Sequence, residues 1–231
     1  MTRVLALDAA TEACSVALLC EGELIGRSVE AGRDHAQQLL AMIEELMAEG
    51  QVSWSMLDGI AASIGPGAFT GVRIGVSVAQ GLAFGAGLPV VPVTTLEALA
   101  LQVLPESDRA IACLDARMGE VYWGCFAADA KRGLIALGAA CVSPPGSVSL
   151  AAAGGAPVRG IGRGFSAYPE LAARLGLQIE EQASRALPHA REIARLGALR
   201  LAGGGGLDPA QLQPLYLRDK VALTEAERAA R

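Results

Sequence analysis

Histidine is nearly missing from this chain, with two in 231 residues, and its five cysteines form no C-x-x-C motif. A metal site of ordinary ligand spacing is therefore not expected. Lysine is nearly missing too: Lys131 is the first of two, so the lysine of a Walker phosphate loop has no candidate upstream. With a net charge of −5 the chain lacks the electrostatic footprint of a nucleic-acid binder, and any contact with RNA is expected through a complex. Long apolar runs are also lacking. The best candidate, residues 81–93, is broken by Gly and Pro, well short of the about 20 residues that span a bilayer. Asp8 and Glu12 fall where a signal peptide would need an apolar stretch, so no secretion signal and a cytoplasmic location are expected. An odd set of cysteines within apolar runs fits buried thiols in a reducing compartment.

What is present is a core-forming composition, 52% hydrophobic, laid out in α/β order. Residues 3–7, 14–20 and 23–29 read as three consecutive strands. Residues 36–48 place Leu39, Leu40, Ile43, Leu46 and Met47 at helical spacing, with a start near Asp34 and a stop at Gly50. A short strand at 59–63, a loop at 65–71, a helix at 72–84 and a strand at 89–93 follow. After Leu104 the pattern restarts. Leu5-Ala6-Leu7-Asp8-Ala9 aligns with Ala112-Cys113-Leu114-Asp115-Ala116, each followed by a turn and a second strand, which points to duplication and to two lobes, 1–104 and 105–231. The second half offers strands at 110–114, 121–127, 134–142 and 157–161 and helices at 166–175 and 189–202. The segment after Pro209 is expected to dock back on the first lobe before a charged, alanine-rich end that frays.

The most distinctive segment is Gly65-Pro66-Gly67-Ala68-Phe69-Thr70-Gly71-Val72-Arg73-Ile74-Gly75, a glycine-rich turn leading into a helix. Its backbone N–H groups at Gly65, Gly67, Thr70 and Gly71 suit an anion; equally, its glycines suit a tight turn and close packing. Asp8 and Thr11, at the end of the first strand, stand where a carboxylate holds a metal through water beside a nucleotide phosphate, and a strand-end aspartate also simply forms turns. Asp115, Arg117 and Glu120 form either a second polar cluster facing the first across a cleft or a turn with a surface ion pair, the turn being favoured. Gly160 to Gly164 is only loosely like a phosphate loop. Arg73, Arg117, Arg159 and Arg163 could each meet a phosphate. His35 lacks a second histidine one turn on, where Leu39 stands, so it is read as a cap or interface residue. Gly71, Gly75 and Gly81 with Ala79 and Ala83 make a slim helix that expects a close neighbour.

Taken together, residues 7–18, the His35 helix, and segments 65–75, 92–100 and 115–122 resemble the bacterial TsaB family, also called YeaZ. That resemblance implies an actin-like fold of the sugar-kinase and heat-shock-protein superfamily, with two lobes each built on a β-sheet. It implies a non-catalytic subunit that helps install N6-threonylcarbamoyl on adenosine 37 of tRNAs reading codons that begin with adenine. The implied partners are TsaD, which carries the metal and the transfer chemistry, and TsaE, with a homodimer when alone and tRNA reached through the complex. The implied partner surface is His35, Leu39, Leu40, Ile43, Leu46 and Met47 on one helix and Val72, Val76 and Gln80 on the next. The implied cofactor requirement is none, with ATP or ADP at a lobe or subunit interface left open. The alternative is an actin-like nucleotide-binding protein with weak ATPase or phosphotransfer activity of its own.

Overall fold

The computed structural model describes residues 2–30 and 34–218, so the charged end at 219–231 lies outside the described residues. The first sheet holds β1 (Val4–Asp8), β2 (Ala13–Cys20), β3 (Glu23–Glu30), β4 (Gly59–Ser63) and β5 (Val90–Val93) in the order β3-β2-β1-β4-β5. Strands β1 to β3 run antiparallel through short turns, while β4 and β5 lie parallel to β1. Those parallel returns need crossovers, supplied by helices α1 (His35–Glu49) and α2 (Phe69–Ala86).

The second sheet repeats this plan. Strands β6 (Arg109–Arg117), β7 (Glu120–Asp129) and β8 (Gly133–Ala136) are antiparallel, β9 (Cys141–Ser143) also pairs with β7, and β10 (Arg159–Ile161) returns parallel to β6. Strands β6, β7, β8 and β10 thus stand to one another as β1, β2, β3 and β4 do, and the aligned aspartates lie in equivalent strands, Asp8 at the end of β1 and Asp115 two residues before the end of β6. Two mixed sheets of this order, flanked by helices, form the actin-like arrangement.

Several local expectations need correction. The strand read at 134–142 is two strands, β8 and β9, because Gly138 (φ 154°) breaks the run between them. The helix read at 166–175 is two short helices, α4 (Gly164–Ala167) and α5 (Glu170–Arg174), since Tyr168 precedes Pro169 and leaves the helical region. Helix α2 begins at Phe69, three residues before the expected start. Helices α3 (Thr95–Leu101) and α6 (Glu181–Ser184) were not read from the sequence; α3 opens on a capping box in which Thr94 and Glu97 each bond the other's backbone N–H.

Strand β1 explains the layering, because it is buried on both faces. Leu5 and Leu7 face the outer layer of α1 and α2 with Leu39, Ile43, Leu46, Val72 and Val76. Val4 and Ala6 face the inner layer, where α3 and α7 (Ala190–Ala202) supply Leu96, Leu99, Ile193 and Leu196 against residues of both sheets. A third cluster, with Ile111, Cys113, Val121, Phe165 and Leu171, covers the far side of the second sheet. The first sheet is complete at Val93 and the second begins at Arg109, while α7 lies against β1, β2 and β4 of the first.

After α7 the chain crosses back over the first lobe. Leu207 bridges Val90, Gln80 Nε2 donates to the carbonyls of Pro209 and Leu212 at 3.1 Å each, Leu212 is buried, and Leu215 N–H reaches Ile64 O at 2.7 Å. Arg218 then bonds Glu120 and the Arg117 carbonyl at the tip of the β6–β7 hairpin. This strap joins the first lobe to the second.

Helix α7 carries a pH-sensitive cap. His189 Nδ1 accepts the Arg191 N–H at 3.1 Å, which requires that nitrogen to be unprotonated, and burial followed by the Arg191 charge pushes the imidazole below its usual value. The unfolded chain takes up the proton first as pH falls below about 6.5, so stability contributed by the cap is present above that value and declines below it. Urea unfolding of the native chain should show that decline, and His189→Asn, a capping residue that does not titrate there, should flatten it; an unchanged slope would refute the role of the cap.

Candidate functional site

The two lobes enclose a cavity of about 770 Å³ lined from the first lobe by Ala10, Thr11, Glu12, Glu30, His35, Gly67 and Ala68. The second lobe contributes Asp115, Arg117, Tyr122, Arg163 and Ser166. The chemistry of this lining decides what the cavity can hold.

The glycines of the loop 65–71 serve close packing. A Cβ on Gly67 would fall 2.1 Å from the Ala10 carbonyl oxygen and one on Gly71 2.1 Å from that of Ala9. Ala68 N–H donates to Ala10 O at 2.7 Å, and Ala10 N–H turns back to Asp8 Oδ1 at 3.2 Å. These backbone donors are engaged within the chain. Asp8 lies behind them, 1% exposed and outside the cavity lining, with Oδ2 lacking any hydrogen-bond partner among the described residues. Burial raises its carboxyl to about 6, opposed by the nearby Ser63 hydroxyl and the N–H groups of Ala10 and Ala9. Thr11, also buried, points its hydroxyl to Ala13 O at 3.5 Å.

Across the cavity Arg163, in the loop that repeats Ile64-Gly65-Pro66-Gly67 as Ile161-Gly162-Arg163-Gly164, ion-pairs with Glu12 and lies 3.7 Å from Glu30. An arginine of a second-lobe loop is thus neutralised by carboxylates of the first lobe. Asp115 accepts the Arg117 N–H at 2.8 Å within a turn where Arg117, Met118 and Gly119 all have positive φ, and its Oδ2 is 3.0 Å from the Arg117 guanidinium. The turn reading holds, and that turn faces the cavity. Arg159 pairs with Glu106 and Glu180. Glu12, Glu30 and Asp115 outnumber Arg117 and Arg163 here, and a polyphosphate would have to displace the Glu12–Arg163 pair.

The second surface is the outer face of α1 and α2. Of the nine residues named for it, Leu39, Ile43, Leu46, Met47, Val72 and Val76 are in the outer core layer of the chain itself. Leu39, which stands where a second histidine would have faced His35, is fully buried. Gln80 is held by the strap, His35 is half-buried at the cavity edge, and Leu40 is 43% exposed. The outward stripe of α2 runs instead through Thr70, Arg73, Ser77, Gly81 and Phe84, spaced three to four residues apart, and Phe84 is 83% exposed. Phe69 stands beside Arg73, and a groove of about 460 Å³ lies between Ala36 of α1 and Phe69, Ile74 and Val78 of α2. The slim-helix expectation divides in the same way: Gly71 and Gly75 face Ala9, Ala79 and Ala83 are core, and a Cβ on Gly81 meets nothing within 4 Å.

Comparison with known proteins bears on both surfaces. A family model described as TsaD, tRNA N6-adenosine threonylcarbamoyltransferase, matches residues 29–224. The curated protein "tRNA threonylcarbamoyladenosine biosynthesis protein TsaB" of Escherichia coli K12 is 35% identical over 224 residues, covering 95% of this chain and 96% of its own. The protein of the same name from Haemophilus influenzae is 34% identical over 230 residues, 94% of each chain. The chain belongs to the TsaB family. A solved TsaB-family structure, YeaZ from Pseudomonas aeruginosa, superposes with a TM-score of 0.83 at 40% identity over 94% of this chain and 100% of that one. The motif segments 7–18, 65–75 and 115–122 that resemble the TsaB family all contribute to the cavity wall, where the 65–71 loop packs on Ala9 and Ala10 and Asp115 pairs with Arg117. Phe69, Phe84 and Tyr216 were not singled out as site residues. Phe69 lay inside a quoted motif, and the rest carry no spacing signal that separates an exposed aromatic from a buried one.

Burial raises Cys14 to about 11 and Cys113 to about 12, which leaves both protonated and unreactive near neutral pH. Among the described residues no helix is long and apolar enough to cross a membrane.

Proposed function

We propose that this chain is a non-catalytic subunit for threonylcarbamoylation of adenosine 37 in tRNAs reading codons that begin with adenine. It acts by binding and ordering TsaD together with TsaE, self-associates through the same face when alone, and meets tRNA through the complex. The observation that carries this reading is the outer face of α1 and α2, where Leu40, Phe69 and Phe84 stand exposed and Phe69 lines an apolar groove. Exposed apolar side chains clustered on one helical face mark association surfaces. Support comes from the interlobe cavity, where Arg163 is already paired with Glu12 of the chain itself, and from the relatives' names.

The deciding experiment is transfer of threonylcarbamoyl to tRNA by TsaC, TsaD and TsaE of one organism, with and without this chain, beside size-exclusion of its mixture with TsaD. Transfer that needs the chain, with co-elution, supports the proposal; full transfer without it sinks the proposal. Leu40→Glu should abolish co-elution while leaving the melting temperature within a few degrees. Ile43→Glu, by contrast, should unfold the chain, because Ile43 is 1% exposed. The competing reading, weak ATPase activity, predicts magnesium-dependent ATP hydrolysis by the isolated chain that Asp8→Asn removes.

Gly81→Ala separates the free chain from its complex. In open space the substitution should stabilise the isolated protein by up to about 1 kcal/mol, a rise of a few degrees in melting temperature. A loss of TsaD affinity alongside that gain would mark Gly81 as a point of close approach.

A further inference from the structure

Most described arginines of this molecule are held by a carboxylate, and others, such as Arg109 and Arg174, by backbone carbonyls. Among the described residues nine arginines are ion-paired to Asp or Glu. Arg73 is not one of them. Its guanidinium carbon instead lies 3.3 Å from the centroid of the Phe69 ring and 5.3 Å from that of Tyr216, the two rings being 6.0 Å apart. All three side chains are exposed, at the mouth of the groove lined by Ala36, Thr70, Ile74, Ser77 and Val78.

The two rings come from different parts of the chain. Phe69 opens α2, one helical turn before Arg73, and Tyr216 is delivered by the strap, whose neighbour Leu215 is tied to Ile64 O and whose Leu212 is buried. Stacking on a ring attracts the cation and fixes the plane of the guanidinium, while its N–H edge stays free to donate. A planar donor edge held in advance is matched by the two oxygens of a carboxylate, and holding it in advance lowers the ordering cost of binding. An arginine between aromatics beside an apolar groove also has the composition of a binding hot spot.

We infer that Arg73, held on Phe69 and Tyr216, receives an aspartate or glutamate side chain of the partner subunit as that subunit's helix fills the groove. The inference rests on the partner-binding reading above and names the charged contact within it. Nucleic acid is the less favoured occupant: the groove has no second basic lining residue, and α1 beside it carries the exposed Glu44. A phosphate backbone is held by several cations along its track.

The test is calorimetric titration of full-length protein with purified TsaD at two salt concentrations, for the wild type, Arg73→Met, Arg73→Lys and Tyr216→Leu, with melting temperatures as the folding control. Arg73→Met should weaken binding at least tenfold and remove most of its salt dependence. Arg73→Lys should recover only part of the loss, and Tyr216→Leu should weaken binding severalfold with an unchanged melting temperature. Arg73→Met binding within twofold of wild type overturns the inference while leaving the partner reading intact. Absence of binding by the wild type overturns both. Normal TsaD binding by Arg73→Met with loss of tRNA binding by the assembled complex assigns the arginine to nucleic acid and overturns the inference.

Discussion

Gly67→Ala should lower the stability of the isolated chain by about 3 kcal/mol, at the upper end of what overpacking usually costs. The added methyl would sit 2.1 Å from Ala10 O, an atom also held by the Ala68 N–H, so backbone rather than a flexible side chain must move. Gly71→Ala should behave alike, its methyl 2.1 Å from Ala9 O. Because both press on the same two-residue stretch, the double variant should lose less than the sum of the single losses. Denaturant melts read all three. A loss below about 1 kcal/mol for Gly67→Ala would mean that loop and strand end are loosely joined, and would reopen the space between them to an anion.

Asp8→Asn should act in the opposite direction. The carboxyl is fully buried, with one oxygen lacking a partner among the described residues, and its folded value near 6 lies above the ordinary 3.8. Between those values the folded chain binds more protons than the unfolded one. Stability from this group is therefore present below the lower value and is lost as pH rises to the upper one. A shift of that size corresponds to about 3 kcal/mol at most. At pH 7.5 the asparagine variant should be the more stable by a substantial part of that figure, and its stability should no longer fall between pH 4 and 6. The His189 cap acts with the reverse slope just below pH 6.5, so each variant isolates one of two opposed trends. An aspartate variant with unaltered stability at pH 7.5 would show that the carboxylate finds a compensating partner.

The sequence reading was strong where burial imposes a period. Strands β1, β2 and β4 are buried throughout or nearly so, and their apolar runs located them to within a residue or two. The aspartate alignment exposed the duplication because Asp8 and Asp115 lie near the ends of equivalent strands. It was weak where local signals are short. Thr94-x-x-Glu97 is a capping-box pattern that went unread before a seven-residue helix, and Pro169 should have divided the segment at 166–175. At the candidate partner face the helical period found Leu39, Ile43, Leu46 and Met47, but that period reports burial against the chain's own sheet. Exposure of Phe84, the stack of Tyr216 on Arg73 and the pairing of Glu12 with Arg163 across 151 residues are properties of tertiary placement, and no spacing along the chain encodes them.

Helix α7 sets the order in which this protein can be made. Its Ala190, Ile193, Ala194 and Leu196 cover the inner face of the first sheet, where Val4, Ala6, Ala17 and Ala61 are otherwise bare. A ribosome that has released residues 1–104 has therefore delivered every strand of that sheet without the helix that seals it. At about 5–20 residues per second, α7 follows only about 5–20 seconds later. During that interval the nascent chain displays an apolar strand surface, and a chaperone that shields such surfaces has its window there. For the same reason residues 1–104 expressed alone should aggregate, and a fragment complementation experiment should need the segment through Leu212 before the first lobe becomes soluble.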